Sequence, residues 1–344
     1  MSEGGKTPDD EMGQRAGGSR LGLWFVLEGD RRAVTATLVA AVFLTLVLVG
    51  TYAPGAETAL RATDSVDTLF QALLTATITG VTLVLTLNQL VLSQELGAVG
   101  DQRDRMEAAT AFRSDVADAV GAPVTPAEPS ATLRALVEHA SDRAAALAAA
   151  SEGVDAAVSE ELTDLTDSVR ANADKASAGL DGAQFGTFGV VSAALNFNYS
   201  WKLFAAQRLR ERHGDALPEA GSDALAELIE TLELFGPARE HVKTLYFQWD
   251  LIDLSRGILA TAVPALLVAT ATIAFLDPKT YSVTVAGRET LIPLVAAAVT
   301  VTLLPFLLLL AYVVRIATVA KRTLSIGPFI LRDADDVADV EWEG

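Results

Sequence analysis

Four stretches of this chain, each twenty or more residues long, carry no charged side chain, and that feature constrains the fold more than any other. A helix of about 20 apolar residues spans the roughly 30 Å hydrocarbon core of a bilayer. The first run is Ala33–Ala53, 21 residues, about 31 Å long as a helix. It exceeds a signal-peptide core and follows a long polar segment, so it reads as uncleaved. The second, 68–94, has 27 residues between Asp67 and Glu95; at about 40 Å it must tilt or protrude. The third, 257–276, is bracketed by Arg256 and Asp277, and the fourth, 290–314, ends at Arg315. Each bracketing charge would cost about 2.5–3.5 kcal/mol at a helix centre, so these charges mark the ends. The expected fold is an all-α polytopic membrane protein with four transmembrane helices and a helical cytoplasmic domain between the second and third.

Lys and Arg set the orientation. Lys6, Arg15, Arg20, Arg31 and Arg32 precede span one, and Arg315, Lys321, Arg322 and Arg332 follow the start of the last tail. The short connections 54–67 and 277–289 hold only Arg61, Lys279 and Arg288. Nine against three places both termini in the cytoplasm, and with them residues 95–256. The expected location is the cell membrane. Gly182–Trp201 is also uncharged for 20 residues, but it holds Gln184, Asn196 and Asn198. Making it a span would invert the last two helices, so a buried or interfacial helix is the expectation. Asn198-Tyr199-Ser200 is a glycosylation sequon that a cytoplasmic position would leave inert.

Acidic residues, 44 against 26 basic, give the chain a net charge of −18 although 51% of it is hydrophobic. With 20 Arg to 6 Lys and abundant Ala and Asp, the composition resembles that of proteins from salt-loving archaea. Such acidity says little about cation sites, because molar salt shortens the Debye length to about 3 Å. A pI near 4.5 argues against nucleic acid as a partner. Without cysteine there is no disulfide framework, thiolate metal site or cysteine nucleophile.

Residues 95–256 carry 27 acidic and 14 basic side chains, and their apolar residues recur at helical spacing. Residues 95–120 are expected to continue span two as a helix, and the three prolines of 121–130 to form a loop and a helix start. Leu133, Leu136, Ala140, Ala144 and Leu147 predict one helical face, and Val158, Leu162, Leu165, Val169, Ala176 and Leu180 a second, as an antiparallel pair. One helix is expected over 187–213 and another over 223–234 capped by Ser222. Gly236-Pro237 is read as a break before a last helix that leads into span three. Tyr246, Phe247 and Trp249 sit where an interfacial aromatic belt would, as do Leu21–Phe25 in the N-terminal segment 1–32. The tail, 315–344, is expected to be cytoplasmic, and its acidic end, 333–344, to be disordered.

Span two is the most informative segment. Thr68, Gln71, Thr75, Thr79, Thr82, Thr86, Gln89 and Ser93 all fall within an arc of about 80° at the α-helical repeat. Of the 19 other positions only Thr77, Asn88 and Gln94 are polar. This stripe either packs against another helix, where hydroxyls allow close approach, or lines a water-filled path in an oligomer. Pro264, Pro293 and Pro305 are candidate hinges. Enzyme chemistry is not expected: His139, His213 and His241 lack metal-ligand spacing, and no span holds an Asp, Glu or His. Gly5-Lys6-Thr7 imitates only the end of a phosphate loop. No cofactor is implied. The expected partners are the lipid bilayer, further copies of the chain, and a cytoplasmic protein.

Two N-terminal spans, a helical block continuing the second, two C-terminal spans and internal termini resemble the layout of bestrophins and bestrophin-like bacterial membrane proteins. The run TLFQALLTATITGVTLVLTLNQLVLSQELG carries the resemblance. It implies a pentamer whose second span lines a pore. Phe70 is the only aromatic in that run, where the family's pore has an aromatic and aliphatic neck; anion selectivity is not carried over. The resulting reading is a channel-like conduit lined by span two, the alternative a non-transporting scaffold or sensor whose helical domain binds a partner.

Overall fold

The computed structural model describes residues 20–62, 64–184 and 186–323; the expectations for Gly5-Lys6-Thr7 and for the acidic end of the tail fall outside them. The described chain is mostly helical. A helical turn Arg20–Leu23 and a π-type turn Trp24–Glu28 are followed by α1 (Arg31–Tyr52), α2 (Ala56–Ala62), α3 (Ser65–Glu95) and α4 (Val99–Ala119). Then come α5 (Pro129–Ala150), α6 (Ala156–Leu180), α7 (Phe188–Leu195), α8 (Tyr199–His213) and α9 (Glu219–Phe275). A two-stranded antiparallel hairpin, β1 (Thr284–Val285) and β2 (Arg288–Glu289), precedes α10 (Leu291–Thr323). Among the described residues four helices are long and apolar enough to cross a membrane: α1, α3, α9 and α10. The chain divides into two compact units, one including residues 97–247 and the other 20–96 with 248–319.

In the second unit α10 is the central helix. Half of its apolar window is buried, against 11% for α1. Its large side chains enter notches that glycines leave on the other three helices. A methyl group placed on Gly50 of α1 would lie 2.6 Å from Ile292 Cγ2, one on Gly80 of α3 2.9 Å from Phe306 Cε1, and one on Gly257 of α9 2.7 Å from Leu308 Cδ2. Lipid is as apolar as leucine, so association in a bilayer depends on such close packing. Val66 and Phe70 of α3 pack with Ala269 of α9 and with Leu291, Val295 and Val299 of α10. Val84 packs with Leu254 and Ile258. At one end, Arg61 of α2 donates from Nε to Glu57, from Nη1 to the Pro278 and Tyr281 carbonyls at 2.9 and 2.8 Å, and from Nη2 to Glu289 at 2.6 Å.

The 97–247 unit is built on the α5–α6 pair. Both expected apolar faces are buried, from Leu133 to Leu147 and from Val158 to Leu180. Gly153, at φ +90, makes the turn between them. The uncharged 182–201 stretch is not one helix. It folds as α7 and the start of α8, with Val190, Val191, Leu195 and Phe197 in the core. Asn172 of α6 explains the interruption. Its Nδ2 donates to the Asn196 carbonyl at 2.7 Å and its Oδ1 accepts the Asn198 N–H at 3.0 Å. Those backbone groups belong to the turn that separates α7 from α8.

Two expected boundaries are corrected. Gly236-Pro237 does not break the chain, and Ser222 is not a cap, because α9 runs unbroken from Glu219. Proline inside a helix costs about 3 kcal/mol. Burial of Leu228, Leu232, Phe235, Ala238 and Val242 around it offsets that cost. Gly236 gives room to the Tyr199 ring, 3.0 Å from where a methyl would stand. Conversely, span two does not continue unbroken into α4. The helix stops at Glu95 and restarts at Val99, with Ala98 extended at φ −62, ψ 154. Gly97 lies here among exposed residues, so no packing offsets its poor helix propensity.

His139, on α5, is partly buried. Burial first, and then Arg143, hold its pKa below the ordinary imidazole value against the opposing pull of Asp142, Glu227 and Glu230. The unfolded chain therefore takes up this proton more readily than the folded one. The stability concerned is complete above about pH 6.5, the unfolded-chain value, and is lost as pH falls from there through the lower folded-state value. His139→Gln should reduce the loss of thermal stability between about pH 7 and about pH 5. An unchanged pH dependence would show that other groups govern it.

Candidate functional site

The site is the free side of α3. Val66, Phe70, Thr77 and Val84, at intervals of four and seven, form its buried face. On the other side all eight stripe residues are exposed: Thr68, Gln71, Thr75, Thr79, Thr82, Thr86, Gln89 and Ser93. Among the described residues no other helix covers them, so the stripe is not a packing seam between the described helices of one copy. It is also not at the edge of the exposed surface. At the α-helical repeat, exposed Ile78 and Leu85 lie on one flank, and exposed Leu69, Leu83 and Leu87 on the other. From Thr75 to Ser93 its members are spaced four, three, four, three and four residues apart. That is the heptad interval of helices crossing at about +20°.

The polarity of the stripe is specific. The Thr75 hydroxyl donates to the Gln71 carbonyl at 3.0 Å, Thr79 to Thr75 at 2.9 Å, Thr82 to Ile78 at 2.9 Å and Thr86 to Thr82 at 3.0 Å. Each hydroxyl proton is therefore held by its own helix, and oxygen lone pairs are what remain to be offered outward. Thr77 differs: it is 1% exposed and its Oγ1 has no hydrogen-bond partner.

The prolines sit in three different settings. Pro293 is in the first turn of α10, where its missing N–H removes no helical bond. Pro305 is buried inside α10, and Pro264 lies on the exposed side of α9; neither ends its helix. His213 approaches Glu161 at 3.7 Å, and His241 is exposed.

A second arrangement, at the N-terminal end of α1, was not legible as a site. Arg31 donates from Nη2 to the Gly29 carbonyl at 2.7 Å and from Nη1 to the Ala311 carbonyl of α10 at 2.7 Å. Arg315 of α10 donates to the same Gly29 carbonyl at 2.5 Å. Both guanidiniums are buried and clamp the Trp24–Gly29 turn onto α10. A side chain at Gly29 would meet the Trp24 carbonyl at 2.6 Å. In the sequence these two arginines are only the charges that end spans one and four. Their common target is a backbone oxygen, which no side-chain pattern announces.

No curated protein and no solved structure matches the chain. The chain belongs to DUF7972, a family of unknown function whose model matches it over residues 1–344.

Proposed function

We propose that this is an integral protein of the cell membrane whose copies assemble with their α3 helices around a common axis, forming a channel-like conduit. Both termini and residues 97–247 face the cytoplasm in this reading. One observation carries it: a polar stripe runs along α3 in the middle of an exposed arc and is flanked on both sides by leucine and isoleucine. A lone copy would turn Gln71 and Gln89 toward hydrocarbon, and unsatisfied amides there cost several kcal/mol. In a ring, the flanks pack against neighbouring copies and the stripe faces water.

A cysteine scan tests this directly, because the chain has no cysteine of its own. Single cysteines at Thr75, Thr79, Thr82 and Thr86 should react with a membrane-impermeant thiol reagent in intact vesicles. Cysteines at Leu73, Ile78 and Leu83 should not. Equal, low reactivity at all of them would remove the conduit.

The alternative is a non-transporting scaffold or sensor, which the surface of α4 favours. That helix exposes Val99 and Met106, with Leu96 just before it, among charged residues. Oligomeric state separates the two: a chain that stays monomeric or dimeric in detergent and in lipid cannot build a central path from one stripe per copy.

A further inference from the structure

We infer that the conduit, if α3 lines it, passes monovalent cations in preference to anions; this rests on the reading just given. What a lining helix offers a permeant ion depends on which end of each dipole faces the lumen. An anion needs donors such as N–H or O–H, and a cation needs oxygen lone pairs. Between the two glutamine levels the stripe consists of Thr75, Thr79, Thr82 and Thr86, and all four hydroxyl protons point back to carbonyls of their own helix at 2.9–3.0 Å. Over those three turns the hydroxyl oxygens keep lone pairs for a cation while their protons are engaged. Turning a hydroxyl outward as a donor to chloride would break one of these bonds.

The charges around the helix point the same way and are independent of the stripe. Residues 65–95 contain no Lys or Arg, and their only ionisable side chains are Asp67 and Glu95. The two connections that flank the residue-65 end hold five carboxylates, Glu57, Asp64, Asp67, Asp277 and Glu289, against three cations. Arg61 is fully engaged by Glu57, Glu289 and two backbone carbonyls, and Lys279 lies 3.9 Å from Asp64. Arg288 is the remaining cation, on the exposed hairpin. Asp64 is largely exposed, and Glu57 and Glu289 are about half exposed. Five carboxylates against three cations leave these connections with a net charge of −2, so this end attracts cations more than anions.

The full-length protein reconstituted in planar bilayers under a potassium chloride gradient decides the matter. The expected reversal potential lies close to the potassium equilibrium value, with potassium on the order of ten times more permeant than chloride, the factor that about 1.4 kcal/mol of differential stabilisation produces. Thr79→Val with Thr82→Val, which exchanges each hydroxyl for a methyl of similar size, should lower potassium conductance several-fold. Thr79→Ser with Thr82→Ser should retain it. A current reversing at the chloride potential would overturn cation preference while leaving the conduit standing. A wild-type potassium current that the valine pair leaves unchanged would overturn the threonine hydroxyls as the origin of the preference. No current from reconstituted protein that is fully oligomeric would overturn the conduit itself, and the preference with it.

Discussion

Gly80→Val should destabilise the apolar helical unit by about 1–3 kcal/mol, the usual cost of overfilling a packed interior. The notch at Gly80 is already filled by Phe306, whose ring edge lies 2.9 Å from where the first added carbon would stand. A valine there must displace α10 from α3 or force the phenylalanine off its rotamer. The measurement is thermal unfolding of the purified protein in detergent, read by tryptophan fluorescence. Phe306→Ala alone is also destabilising, because it empties the notch. Combining the two should cost less than the sum, with a coupling of about 0.5–3 kcal/mol. Strict additivity would mean that Phe306 does not occupy the Gly80 notch. The same test applies at Gly50 with Ile292 and Gly257 with Leu308, which together ask whether α10 is the centre of the bundle.

Asn172→Ala should destabilise the 97–247 unit through hydrogen bonding rather than lost volume. Its carboxamide is 1% exposed and is bonded at both ends to the backbone between α7 and α8. Truncation leaves a part-buried carbonyl and a part-buried N–H without this partner, at about 0.5–1.5 kcal/mol each, the net worth of such a bond. Asn172→Asp separates hydrogen bonding from mere volume. The carboxylate still accepts from Asn198 but sets an anion against the Asn196 carbonyl. Protonation restores the donor, so the folded state raises this pKa. The variant should therefore be closest to wild type at acid pH and lose relative stability as pH rises through the raised value. Denaturant titration followed by circular dichroism at two pH values reads the difference. An alanine variant as stable as wild type would show that the α7–α8 turn holds without this residue.

Such couplings explain the boundary between what was legible and what was not. The four apolar helices follow from uncharged runs, since a charge in hydrocarbon is costly whatever the tertiary arrangement. The paired faces of α5 and α6 follow from a 3.6-residue periodicity that both helices display on their own. Helix ends were less legible because packing overrides local propensity. Gly236-Pro237 looked like a stop, yet a buried row from Leu228 to Val242 and the Tyr199 ring against Gly236 carry α9 through it. Gly97, lacking any such neighbours, interrupts a run that looked continuous. The turn at 196–198 depends on a side chain 24 residues upstream.

The stripe on α3 was written in residue order alone, because eight polar positions at helical spacing stay on one side of any helix they form. Which way that side faces was not. Thr77 is as polar as its neighbours, and only the tertiary arrangement makes it the buried one while leaving Thr79 and Thr82 uncovered. Composition thus determined the solvent of each segment, through transfer free energies that add residue by residue. Tertiary structure decided which faces meet and which hydroxyl protons are already taken, because those depend on distances between residues far apart in the chain.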